Sequence, residues 1–169
     1  SRNEFRLVLF YERRIRRILP VLLTVILATL PFAWVYMSPS AISDYAGSIL
    51  SSLFFGSNVW FWAEENYWAG DSILKPLLHT WSLSVEEQFY ILYPITLFLI
   101  WRFFKRLATT FLISVGIVSL LLAELFIGKF PEFTFYLLPT RLWELMAGAS
   151  LATLESNTQR RSPAVLNQV

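Results

Sequence analysis

Long uncharged stretches separated by short clusters of charge set the pattern of this chain. From Ile18 to Ser43 there is no charged residue. About 20 apolar residues cross a bilayer as a helix, so Leu19 to Met37 is predicted to span a membrane. Pro20 fits the first turn of such a helix, where no amide partner is lost. Pro31 lies within it, a kink that membrane helices tolerate. Trp34 and Tyr36 fall at its far end, where aromatic rings gather at the interface. Leu83 to Trp101 is a second predicted span, with Pro94 inside and Glu86 and Glu87 near its start. Leu107 to Phe126 is a third. Its Glu124 sits near the end, where a carboxylate costs less than at the bilayer centre. Leu137 to Leu154 is a fourth, with Arg141 and Glu144 in its opening turns.

Tyr45 to Ala63 is uncharged and long enough to cross. Yet it holds four serines, two glycines and an asparagine, and it ends in Trp60, Phe61 and Trp62. Charge placement arbitrates, because cytoplasmic loops favour Lys and Arg. Basic residues crowd the start (Arg2, Arg6, Arg13, Arg14, Arg16, Arg17), the loop Arg102 to Arg106, and Arg160–Arg161. Between Ser38 and Thr80 the sole basic residue is Lys75, against Asp44, Glu64, Glu65 and Asp71. A full crossing at 45–63 would put Arg102 to Arg106 outside. The segment is therefore expected to be re-entrant or interfacial on the outer face. The start, 102–106 and the end then lie inside, and 38–82 and 127–137 outside. The expected fold is all-α: a polytopic transmembrane helix bundle of about four spans plus that segment. The polar stretch 156–169, with Pro163, is expected to be a cytoplasmic linker.

Composition agrees with a multi-pass protein. The chain is 56% hydrophobic and 15% charged, where a soluble domain carries about 25% charge. There is no cysteine and one histidine, which rules out disulfides and thiolate metal sites and leaves little to bind a metal. A net charge of +2 gives no case for nucleic acid. The first segment starts at Ser1 and is charged, unlike a signal peptide. It is expected to be an excerpt from a longer protein.

Three polar strings could carry chemistry. In Tyr11 to Pro20, arginines crowd the mouth of a membrane helix. They could fix orientation and attract anionic lipids. They could also bind an anion: Arg14 and Arg17, or Arg13 and Arg16, lie at i,i+3 on one helix face, and two guanidinium forks suit a phosphate or pyrophosphate. In Pro76 to Tyr90, carboxylates stand inside a span, where ionisable groups are costly and usually functional. They could instead favour the helix start, with Ser82 or Ser84 as N-cap. Ser82, Glu86, Phe89 and Tyr93 follow one helical stripe, which favours Glu86 over Glu87. His79 could shuttle protons or be structural. In the third string, Arg141 and Glu144 lie at i,i+3 and are expected to form a local ion pair.

At these residues the chain resembles the bacterial acyltransferase 3 membrane proteins, which include the O-antigen acetylases. Phe10 to Pro20 is similar to that family's arginine motif. Trp81-Ser82-Leu83-Ser84-Val85-Glu86-Glu87-Gln88-Phe89-Tyr90 is similar to its most recognisable string. Ser57 to Trp62 and Arg141-Leu142-Trp143-Glu144-Leu145 also match. The resemblance covers about residues 5–155 and makes 1–155 part of one such membrane domain. It implies about ten membrane helices in the bacterial inner membrane. It implies transfer of an acyl group, usually acetyl, from cytoplasmic acyl-CoA to a hydroxyl of an exported or cell-surface polysaccharide or glycolipid, such as lipopolysaccharide O-antigen or peptidoglycan. Acetyl-CoA would be the donor, held by Arg14 and Arg17 with Arg13 and Arg16 beside them. Glu86, Glu87 and His79 are the catalytic candidates in this chain, and Trp81, Tyr90, Arg141 and Glu144 the substrate-binding ones. The family's essential histidine lies in a preceding helix, and His79 is not that residue. A transporter or flippase of a polar or lipid-linked substrate is the alternative, since kinked helices, a re-entrant segment and buried charge suit it too.

Overall fold

A computed structural model describes residues 7–65, 75–103 and 108–161. Seven helices follow in order: α1 (Leu7–Tyr36), α2 (Pro39–Leu53), α3 (Ser57–Glu65), α4 (Thr80–Phe103), α5 (Ala108–Ile127), α6 (Pro131–Tyr136) and α7 (Leu138–Arg161). No strand occurs among the described residues. The chain divides into two compact units, residues 1–84 and 85–169.

In the first unit, the arginine-rich segment and the predicted first span are one helix of 30 residues. Arg, Leu and Glu are good helix formers, so nothing stops the helix before Leu19. At 1.5 Å per residue it is about 45 Å long, more than the ~30 Å of a hydrocarbon core. Pro20 is therefore interior, like Pro31, and not in the first turn. The Thr24 hydroxyl donates to the Pro20 carbonyl (2.8 Å).

The uncharged stretch 45–63 is not one helix. Ser38 caps α2, accepting from the Ala41 amide (3.3 Å), with Pro39 opening the first turn. The chain breaks at Phe54–Gly56, where Phe55 adopts φ 53° and the Gly56 amide closes on the Ser51 carbonyl (2.7 Å). A left-handed conformation is unusual for a bulky residue, and it reverses the chain sharply. With 15 and 9 residues, α2 and α3 reach about 22 and 14 Å, so neither spans the ~30 Å core alone. α2 runs back along α1, with the Thr29 hydroxyl 2.6 Å from the Tyr45 hydroxyl. α3 runs back along α2, with Trp60 against Gly47. A hairpin of this kind fits the expected re-entrant or interfacial segment.

The turn from Lys75 to His79 buries Leu77 completely and leads into α4. That helix starts at Thr80, ahead of the predicted Leu83, and continues into the second unit. There Phe89, Leu112 and Met146 form a small core from α4, α5 and α7. Helices α5 and α7 approach closely where Gly116 faces Met146. α7 runs past residue 155 to Arg161, into the segment expected to be a linker.

Among the described residues, three helices are long and apolar enough to cross a membrane: Val8–Tyr36, Thr80–Ile100 and Thr110–Ile127. α7, the expected fourth span, has 24 residues and carries Arg141 and Glu144 in its opening turns. Large apolar side chains point outward from α1 and α5, including Val21, Leu27, Phe32 and Leu125. Helices apolar on their outer faces suit lipid.

Candidate functional site

The first unit contains a hollow of about 290 Å³ lined by Arg17, Ile18, Val21, Leu22 and Val25 of α1 and by His79, Thr80 and Leu83. Charge placement along the sequence puts the arginines and the His79 string on opposite faces of a membrane. The structure instead sets Arg17 and His79 on the walls of one hollow. The α2–α3 hairpin is the reason: its tip is hydrogen-bonded to the start of α4, which faces residues 17–25 of α1 across the hollow.

The four arginines separate. Arg16 forms an exposed i,i+4 ion pair with Glu12 (2.8 Å), and Arg13 is exposed. Arg14 is half-buried. Arg17 is the one of the four on the wall of this hollow.

Beside the hollow lies a feature absent from the sequence expectations. Four buried hydroxyls join in a chain: Ser52 to Thr80 (2.8 Å), Thr80 donating to Ser57 (3.0 Å), and Ser57 to Ser84 (2.7 Å). The Ser57 amide also donates to the Ser84 hydroxyl (3.2 Å). All four residues are at most 2% exposed. Buried polar groups are expensive unless paired, so this cluster pins the hairpin tip to the start of α4. The concentration of serines at 48–57 was its sequence signal. Their partners, Thr80 and Ser84, a turn apart on α4, lie within the Pro76–Tyr90 string.

Along α4 the buried polar positions are Thr80, Ser84 and Glu87, with Glu87 5% exposed. They recur at i, i+4 and i+7, one face of a helix. Glu86 and Ser82 are exposed, so the expected stripe through Ser82, Glu86, Phe89 and Tyr93 does not form one environment. Its other members are core: Tyr93 stacks on Phe89 (4.9 Å between centroids), and Tyr90 meets the Phe89 edge (5.5 Å). Neither Ser82 nor Ser84 caps the helix, because it starts earlier; the Ser82 hydroxyl donates to the His79 carbonyl (3.2 Å). Trp81 is half-buried.

A second hollow, of about 160 Å³, opens at the other end of the hairpin. Asp44, Tyr45, Ser48, Phe61, Glu64 and Lys75 are among its lining. The sole base of the acidic stretch, Lys75, pairs there with Glu64 (2.7 Å).

In the second unit Arg141 and Glu144 form the expected ion pair (2.9 Å). Arg141 Nε also donates to the Phe135 carbonyl (3.2 Å), and its guanidinium covers the Phe135 ring (5.2 Å). Among the described residues no group of three or more His, Asp or Glu side chains could hold a metal.

A family model described as an acyltransferase domain matches residues 1–166. O-acetyltransferase OatA of Staphylococcus aureus is 32% identical over 146 residues, covering 85% of this chain and 24% of that protein. Peptidoglycan O-acetyltransferase OatA of Listeria monocytogenes is 31% identical over 169 residues, covering 94% and 27%. An uncharacterized protein of Haemophilus influenzae is 30% identical over 159 residues, covering 90% and 65%. The chain thus spans about a quarter of the length of the OatA proteins. No solved structure matches it.

Proposed function

This chain belongs to the acyltransferase 3 family, and on that premise we propose that it is part of a multi-pass O-acyltransferase of the bacterial inner membrane. The donor is acyl-CoA, acetyl-CoA foremost, and the acceptor is a hydroxyl of a cell-envelope glycan. Relatives named for peptidoglycan O-acetylation make peptidoglycan the first acceptor to try, with lipopolysaccharide O-antigen second.

The observation that carries this reading is the hollow shared by Arg17 and His79. Its walls are mostly apolar, which suits an acyl chain and the thioester arm. Its volume falls just under the ~300–1,000 Å³ of drug-sized ligand sites, so it suits that end of the donor rather than the whole nucleotide. Arg17, with Arg14 one turn away, supplies guanidinium forks at the rim for phosphate. In the reaction the acceptor oxygen bonds to the acyl carbon and the C–S bond breaks. The hydroxyl proton leaves to a base, and the sulfur departs as coenzyme A thiol once protonated. The resemblance assigns the base to a histidine of a preceding helix. This chain would supply the donor-binding arginines and, through Glu86 or Glu87, orient the acceptor.

The test is Arg14→Ala with Arg17→Ala in the full-length protein. Acetylation should disappear while the protein accumulates normally; full activity sinks the donor-site assignment. Thermal protection of the full-length protein by acetyl-CoA separates this reading from a flippase, because ligands stabilise the state they bind.

A further inference from the structure

We propose that Thr80 is a positioning residue. The hydroxyl chain Ser52–Thr80–Ser57–Ser84 is a clamp that sets the width of the hollow between α1 and the start of α4. The hollow's role as a donor site rests on the function proposed above; the clamp itself rests on geometry alone.

The chain of hydroxyls alternates between two elements. Ser52 and Ser57 flank the break at the tip of the hairpin, while Thr80 and Ser84 are one turn apart on α4. Every bond in the series therefore crosses from the hairpin to α4, and the Ser52 hydroxyl also donates to the Ser48 carbonyl within α2 (2.7 Å). Thr80 is the node. Its hydroxyl lies within hydrogen-bond reach of Ser52 (2.8 Å), Ser57 (3.0 Å) and the Leu77 carbonyl (2.7 Å). A hydroxyl carries one proton and two acceptor lone pairs, so Thr80 donates one bond at a time, to Ser57 or to the Leu77 carbonyl.

Two consequences follow for the hollow. First, Thr80 and Leu83 form part of its wall, and Thr80 is fixed by the clamp. Second, the His79 ring is exposed, so the backbone on either side sets its place opposite Arg17. On one side is the wholly buried Leu77; on the other is Thr80. The hairpin helices are too short to hold this position unaided. With the clamp released, the α4 wall is free to move relative to α1 while Arg17 and His79 keep their chemistry. Such a change weakens donor binding and leaves the chemical step alone, which raises KM without lowering kcat.

The experiment uses the full-length protein in membranes with Thr80→Val and Thr80→Ser. Valine keeps the shape and removes the hydroxyl; serine keeps the hydroxyl. Thr80→Val should raise the KM for acetyl-CoA about tenfold with kcat within about twofold, and Thr80→Ser should restore it. A second readout does not depend on activity. With Val21→Cys and Leu83→Cys on opposite walls, cross-linking by a short bismaleimide should slow markedly in the Thr80→Val background and recover in Thr80→Ser. If Thr80→Val fails to accumulate, Ser57→Ala takes its place, since it removes one hydroxyl and leaves the Ser52–Thr80 bond. Unchanged KM and unchanged cross-linking in a folded variant overturn the clamp. Equal damage from valine and serine also overturns it, because it points to packing and not to the hydroxyl. Altered cross-linking in a protein that does not use acetyl-CoA keeps the clamp and removes the donor assignment.

Discussion

The indole ring of Trp60 on α3 fills the space that a side chain at Gly47 on α2 would need. The indole N–H is buried with no hydrogen-bond partner among the described residues, so the contact is one of fit. Gly47→Ala should force the two arms of the hairpin apart. Overpacking of this kind costs about 1–3 kcal/mol. Thermal denaturation of the detergent-solubilised protein should show the loss, and Trp60→Leu should restore part of it. A Gly47→Ala protein as stable as the parent would mean that the arms are not in contact.

Ser119 on α5 reaches into the first turns of α7. Its hydroxyl donates to the Pro139 carbonyl (2.7 Å) and accepts from the Trp143 amide (3.0 Å). Those two groups would bond to each other in an uninterrupted helix, so the hydroxyl is inserted into the ladder, a recognised cause of local bending. Ser119→Val removes it and leaves two part-buried backbone groups in want of partners, at about 1 kcal/mol. The melting temperature should fall; a value equal to the parent's would show that the turn closes on itself without loss.

Glu86 and Glu87 are neighbours in sequence and opposites in environment. Glu87 is buried, while Glu86 is exposed. Glu86→Ala should change stability by no more than about 0.5 kcal/mol, the usual range for a surface site. Glu87→Ala opens a buried polar position and should cost several times as much. Denaturation of both variants, side by side with acetylation assays, orders the two; a larger loss from Glu86→Ala contradicts the burial argument.

Arg16 and Arg17 offer a similar contrast. Arg16 is tied to Glu12 on the surface, and exposed pairs contribute about 0–1 kcal/mol. Arg16→Ala should therefore leave donor KM and protein level close to the parent's. Arg17→Ala should raise donor KM at least about tenfold if it holds phosphate through charge-assisted bonds. Equal effects from the two would return the cluster to a role in topology.

Much of this protein was legible in its sequence. Apolar runs of span length identified the helices of α1, α4 and α5 that are long and apolar enough to cross a membrane, because hydrocarbon admits few alternatives to a helix. The Arg141–Glu144 pair followed from i,i+3 spacing, a contact made within one helix turn. The serine and glycine content of 45–63 raised doubt about a full span and charge placement decided against one; the helix break falls at Phe54–Gly56. Periodicity grouped Ser82 with Glu86, but packing decides which face is buried, and that face carries Thr80, Ser84 and Glu87.

Tertiary structure alone brought Arg17 to His79 and Ser52 to Thr80. Each pair joins residues far apart in the chain. Their meeting depends on where the hairpin turns, how deeply it returns beside α1, and which face of each helix then points inward. Local spacing reports on a single helix. It carries no information on how far one helix slides along another, and packing with buried hydrogen bonds fixes that offset.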